Sequence, residues 1–297
     1  MSMKQLTFAS AAYSAKKKTT NQKTGPKGGR PPIGLARMLR VWCLQQWFAL
    51  SDPGMGEALY DMESMRRFAG FELGEDAIPD ETTILNFRRL LETHKLTDRM
   101  FALVRELLEA KGLLLKSGTR VDAILIAAPP STKNAEGKHD LEMTPTKKGD
   151  IWHFGMKVHI GADNKSGLIH TVRMSTAKVA DCAEAEQLLH GQEERVFGDR
   201  GCDYPRVHQT IERIGALDGA AIRRTAGITQ SEAEALFNRV AAKVRSRVEH
   251  PFRVLKRQFG YIKVRYHGLA KNSSQIIGLF ALINLYIARR QLMPQGV

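Results

Sequence analysis

Three carboxylates stand where an acid has no ordinary reason to be. Asp122 lies inside an apolar run, Thr119-Arg-Val-Asp-Ala-Ile-Leu-Ile-Ala-Ala, and strand alternation puts it on one face with Ile124 and Ile126. Burying a carboxylate is costly unless it is paired or holds a metal. Asp199 follows Val196-Phe197-Gly198 where a second strand ends, and ligands of α/β sheets gather at strand ends. Glu249 is the single acid in residues 239–271, which hold ten Lys and Arg. Arg245 lies four residues before it and Lys256 seven after, a spacing that sets all three along one helical face. Each acid alone has a plainer reading: an Asp bonded to strand-end amides, a turn Asp before Arg200-Gly201, and an i, i+4 ion pair. Together, in a basic protein, they fit phosphoryl chemistry. There two divalent ions roughly 3.5–4 Å apart stabilise the attacking and leaving oxygens. Mg²⁺ (or Mn²⁺) suits a site of a few carboxylate oxygens.

Charge points the same way. The 297 residues carry 45 Lys and Arg against 31 Asp and Glu, a net charge of +14. Residues 1–30 hold seven of these cations and no acid, so two basic zones flank a nearly neutral body. A polyanionic partner accounts for such zones. Arg253, Lys256 and Arg257 in the second zone, with Arg245, are candidate phosphate contacts, as is Arg30 in the first. The longest apolar run, Ile276–Ile287, has twelve residues and reads as a buried helix, since a membrane span needs about 20. No secretory signal is expected. Cys43, Cys182 and Cys202 are too few and too scattered for a disulfide framework or a zinc ligand set. The expected location is the cytoplasm, in association with the nucleoid.

The length suits about two domains to hold these groups. Residues 1–34 read as a basic arm and linker rich in Gly and Pro, where Gly29-Arg30-Pro31 could let Arg30 enter a narrow minor groove, against the plainer reading of a linker alone. Residues 35–116 read as a small all-helical domain. Leu35, Met38, Leu39, Trp42 and Cys43 recur at helical spacing, Asp80 caps a second helix, and a third spans Phe101–Ala110. Arg88 and Arg89 are candidates to face DNA, against the plainer reading of a solvated face. Residues 117–297 switch to strands interleaved with helices, an α/β domain. Strands are expected over 119–128, 151–160, 168–174, 194–198 and 220–223. Helices are expected over 179–189, 207–214, 231–258 and 274–291.

Several longer segments resemble DDE transposases of bacterial insertion sequences, of the insertion-sequence-five type. They include Val41-Trp-Cys-Leu-Gln-Gln-Trp-Phe, Ile78-Pro-Asp-Glu-Thr-Thr-Ile-Leu, Phe154-Gly-Met-Lys-Val-His-Ile-Gly and Val248-Glu-His-Pro-Phe-Arg-Val-Leu-Lys-Arg-Gln-Phe-Gly. The resemblance implies a ribonuclease-H-like catalytic domain binding divalent metal, with Asp122, Asp199 and Glu249 as its three acids. It implies that Arg245 and Lys256 hold transposon-end phosphates. The partners it implies are terminal inverted repeats, target DNA and a second copy in a homodimer. Ala242 stands where this group carries Tyr, Cys202 occupies a usually aromatic position, and residues 20–34 look like a shortened form of a longer helical segment.

The expected function is metal-dependent DNA cleavage and strand transfer. Two alternatives stand beside it: an inactive shortened copy acting as a DNA-binding repressor, and a ribonuclease-H-like nuclease that cuts without joining. If the basic zones hold phosphates, raising salt from 50 to 200 mM weakens DNA binding by about 10³-fold or more. A titration with a flat salt response removes those zones as the DNA surface.

Overall fold

The computed structural model of the protein describes residues 32–131, 138–199, 204–221, 231–232, 234–236, 238–239 and 249–293, with Glu249 described at its backbone. They fall into two compact units, one ending at Leu103 and the other running from Val104 to Leu292.

In the first unit, α1 (Leu35–Trp47), α2 (Asp52–Asp61), α3 (Glu63–Ala69) and α4 (Glu81–Thr93) follow one another closely. The start of α5 (Leu96–Ala110) completes it. Local chemistry sets the boundaries. The Ser51 hydroxyl accepts from the Gly54 amide at 3.1 Å, and Asp80 Oδ1 accepts from the Thr83 amide at 2.7 Å. Met38, Val41, Met55, Leu59, Phe71 and Ile84 form the shared core. Arg88 is committed to structure, not to an outside ligand: its guanidinium donates to both oxygens of Asp52 at 2.8 and 2.6 Å, and the Gln45 amide donates to the same carboxylate. Arg89 is exposed.

The second unit is built on a mixed sheet. Its strands are β1 (Gly118–Ala127), β2 (Thr144–Lys148), β3 (Ile151–Asp163), β4 (Ile169–Thr176), β5 (Arg195–Phe197) and β6 (Leu217–Asp218). The order is β2-β3-β1-β5-β6, with β4 also on β3. β1 runs antiparallel to β3 and parallel to β5. Val121 and Val196 share a face that buries Ala185, Leu188, Val207 and Ile211. These come from α6 (Asp181–Ala185), the 3₁₀ turn Glu186–Leu188 and α7 (Pro205–Arg213). Met156, Val158 and Ile160 on the other face are also fully buried. The chain closes with α8 (Glu249–Arg253), a π-helical turn over Val254–Gln258, α9 (Leu269–Ile287) and α10 (Arg289–Leu292).

Several boundaries differ from the sequence reading, each for a tertiary reason. β3 runs on to Asp163, whose Oδ2 accepts from the Ser166 amide and hydroxyl at 2.7 Å each and so makes the turn later. The helix expected over 179–189 is a short α6 plus a 3₁₀ turn. Its entry is held by Lys157, which donates to the Val179 carbonyl at 2.8 Å and pairs with Asp181 at 2.9 Å. Gly161 permits the close passage of this segment, since a Cβ there would meet the Leu188 carbonyl and the His170 ring. The strand expected at 220–223 lies earlier, as β6. Gly219 and Ala221 amides still donate to Val196 and Gly198 at 2.7 and 3.2 Å, and residues 222–230 lie outside the described residues. α9 begins five residues before the expected Ser274, because Asp140 and Glu142 accept from the amides of Gly268 (2.7 Å) and Leu269 (2.6 Å). That cap is supplied from more than a hundred residues away, so no local signal announces it.

Asn284 locks α9 to the sheet. Its side chain donates to the Ile169 carbonyl at 2.7 Å and accepts from the Ile169 amide at 2.8 Å, wholly buried. Asn284→Ala orphans both backbone groups, and urea unfolding is expected to show a loss of about 2–4 kcal/mol. Burial also holds His170 down to about 3, against 6.5 ordinarily. Acid therefore protonates the unfolded chain first, and stability contributed by neutral His170 is lost as pH falls from 6.5 toward 3. His170→Gln is expected to flatten that part of the pH–stability curve.

Candidate active site

Parallel pairing of β1 with β5 puts the two aspartates on neighbouring elements of the sheet. Gly118, Thr119 and Arg120 are in register with Arg195, Val196 and Phe197. Two residues beyond the last pair lie Asp122 on one strand and Asp199 after the other. Asp122 is still inside β1, whereas Asp199 lies two residues past the end of β5. Alternation from Val121 puts Asp122 on the face opposite α6 and α7. Both aspartates are half-buried, and Asp122 Oδ1 accepts from the Ala123 amide at 2.9 Å.

A buried network holds this register. Glu193, just before β5, accepts from the amides of His190 and Gly191 at 2.6 and 2.8 Å. It also accepts from the Thr119 hydroxyl on β1 at 3.0 Å. That hydroxyl lies 3.0 Å from His170 Nε2, and His170 Nδ1 lies 2.9 Å from the Thr171 hydroxyl. A neutral His170 with its proton on Nε2 satisfies every partner: it donates to Thr119, which donates to Glu193. Sequence reasoning missed Thr119 and Glu193. Neither stands out, because their role exists only across 74 residues of separation.

The third acid opens α8, and its side chain lies outside the described residues, as do Arg245, Arg30, Cys202 and Ala242. Among the described residues no three His, Cys, Asp or Glu side chains gather as a metal cluster. α8 is anchored by Phe252, whose ring meets that of Phe280 on α9 edge-on at 6.3 Å. Just after the π turn, Lys263 bridges Ala127 at the end of β1, and the Val264 amide donates to the Ala127 carbonyl at 2.9 Å. The segment carrying Glu249 is thus bound to the strand carrying Asp122. Asn272 fixes the connection: it donates to the carbonyls of Tyr266 (2.6 Å) and Gly268 (2.7 Å) and accepts from the Tyr261 hydroxyl at 3.1 Å.

The helix register assumed for Glu249 and Lys256 does not hold past Arg253. Residues 254–258 form a π turn, whose wider winding moves Lys256 off the i+7 position of a regular helix. Arg253 and Arg257 are exposed, and Arg253 lies 3.0 Å from His250 Nδ1. Burial and the nearby Arg253 and Arg289 depress His250, so its ring stays neutral and accepts that bond.

Carboxylates are all-oxygen donors, and Asp122 and Asp199, on neighbouring elements of the sheet, have the chemistry to suit a hard divalent cation. A mixed sheet of this order, packed by helices and preceded by a helical region, is the ribonuclease-H-like arrangement. Comparison with known families agrees. The family described as Transposase DDE domain matches residues 114–285, more than half of the chain, and the Transposase domain (DUF772) matches residues 10–90. The chain belongs to the DDE transposases of insertion sequences. That family acts on DNA and typically uses divalent metal. Among the described residues no helix is long and apolar enough to cross a membrane.

If the aspartate pair holds the cation, Mg²⁺ at about 100 times its dissociation constant stabilises the chain by about 2.7 kcal/mol. Thermal melts with and without Mg²⁺ read this directly. Asp122→Asn and Asp199→Asn are each expected to erase the response while remaining folded.

Proposed function

We propose that this chain cuts the ends of an insertion sequence of the insertion-sequence-five type and joins the freed strands to target DNA. The observation that supports this reading is the β1–β5 register, in which Asp122 and Asp199 each lie two residues past the last pair, in a chain of this family. Asp122, Asp199 and Glu249 are the ligands for Mg²⁺ (or Mn²⁺). When bound, the divalent ions supply Lewis-acid stabilisation of the attacking and leaving oxygens.

The chain's own groups bind and orient. Arg253, Lys256 and Arg257, joined by Arg245 and Arg30, hold backbone phosphates without reading bases. In the first step a water oxygen attacks the phosphorus at the element end. The bond from phosphorus to the 3′ oxygen breaks, that oxygen takes up a proton, and the flank keeps a 5′ phosphate. In the second step the 3′ hydroxyl attacks a target phosphodiester and forms a new bond to phosphorus, and the target strand leaves with its own 3′ hydroxyl. No covalent protein intermediate is needed. Residues 35–116 serve end recognition or dimerisation, and a homodimer in the nucleoid-associated cytoplasm pairs the two ends.

Purified chain incubated with Mg²⁺ and DNA bearing the terminal repeats is expected to yield both cleaved and joined products. Asp122→Asn, Asp199→Asn and Glu249→Gln each lower the rate by at least about 10³-fold with DNA binding retained, since an interaction made only in the transition state is lost. Cleaved product without joined product identifies a nuclease. Binding with neither product, unaffected by Glu249→Gln, identifies a repressor.

A further inference from the structure

Beyond Gly155, which pairs with both Ala127 and Thr144, β2 and β3 run on as a two-stranded ribbon. Its far end carries Ile151 and Trp152, 65% and 68% exposed. A bare two-stranded hairpin gains little from displaying large apolar groups to water. Trp152 is the exposed one of three tryptophans, since Trp42 is buried and Trp47 half-buried. Cations lie on both faces of the ribbon. Lys147 is the cross-strand partner of Trp152, and Lys148 that of Ile151. Lys147 has Asp150 at 3.9 Å. From the C-terminal segment comes Lys256, whose ammonium is pushed below its ordinary value by burial and then by neighbouring Lys148. Alternation puts Lys147 on the face of Trp152, and Lys148 with its neighbour Lys256 on the opposite face.

We propose that the β2–β3 hairpin is a DNA-binding arm, with Trp152 stacking on an unpaired base, Lys147 beside it holding a phosphate of that strand, and Lys148 and Lys256 presenting charge to the DNA backbone from the opposite face. Aromatic stacking flanked by cations is how single-stranded nucleic acid is bound without sequence readout. A second copy of the chain fits the patch poorly, because a two-fold contact there sets the same lysines against each other. Strand alternation puts Trp152 on the face of β3 that pairs with Asp122 through Ile160. Eight residues separate Trp152 from that level, about 27 Å at about 3.4 Å per residue, or about eight nucleotides of a DNA strand. The arm is therefore a positioning element, remote from the reacting phosphate. It rests on the reading of this chain as a protein that acts on DNA.

Tryptophan fluorescence of the full chain, titrated without metal, tests it with a 12-nucleotide oligothymidylate and with a blunt duplex of equal length. Expected is quenching by the single strand and a preference for it over duplex. Trp152→Ala should weaken single-strand binding roughly 5- to 150-fold. Trp152→Phe should retain most of the affinity while losing the quench. Lys147→Ala with Lys148→Ala should lower the salt slope by about one to two. Unchanged affinity in Trp152→Ala, or absence of quenching, overturns the proposal. A change in sedimentation of Trp152→Ala with DNA binding intact overturns it in favour of a contact between copies. Failure of the catalytic reading looks different: the Asp122→Asn rate would then equal that of the intact chain whether or not Trp152 is quenched.

Discussion

The catalytic unit depends on a few parallel hydrogen-bonded residue pairs between β1 and a very short β5. Three residues of strand are weak pairing on their own, and parallel pairing is the less stable kind. What compensates lies on both sides of the pair. Val121 and Val196 bury apolar surface beneath α6 and α7, and the Glu193 carboxylate reaches across to Thr119. A slip of one residue would turn Asp199 to the opposite face from Asp122. The buried Thr119–Glu193 contact fixes one relative position of the two strands, so it acts on the acids without touching them.

Much of the fold was legible because its signals are local. The cap at Asp80, the alternation of Met156, Val158 and Ile160, and the helical spacing of α1 all appear where their residue types require. What was not legible is what distant residues supply. The start of α9 belongs to Asp140 and Glu142, the short α6 to Lys157, and the fate of Arg88 to Asp52. For the site, Asp122 and Asp199 stood out as acids next to apolar strand residues, an anomaly that composition exposes. The groups that hold them in register are ordinary polar residues, and they carry no mark in a linear reading.

Charge is placed with the same economy. Acids of the second unit that cap or pair with neighbours, such as Asp140, Asp163, Glu186 and Glu193, are engaged in keeping the chain folded. Arg253 and Arg257 stay exposed around the π turn. A π turn widens the helix and redirects the side chains that follow, so the C-terminal basic zone spreads over more directions than one helical stripe allows.

The bridge from Lys263 to Ala127 has a bearing on how the molecule is made. Both aspartates leave the ribosome long before the residues that clamp the end of β1, so the nascent catalytic unit stays unfinished until nearly the whole message is read. A stop codon between positions 219 and 263 would release a chain holding every described strand of the sheet and both aspartates, yet missing its last fastening. Decay of the gene from its 3′ end would therefore unfasten the second unit before any strand is lost.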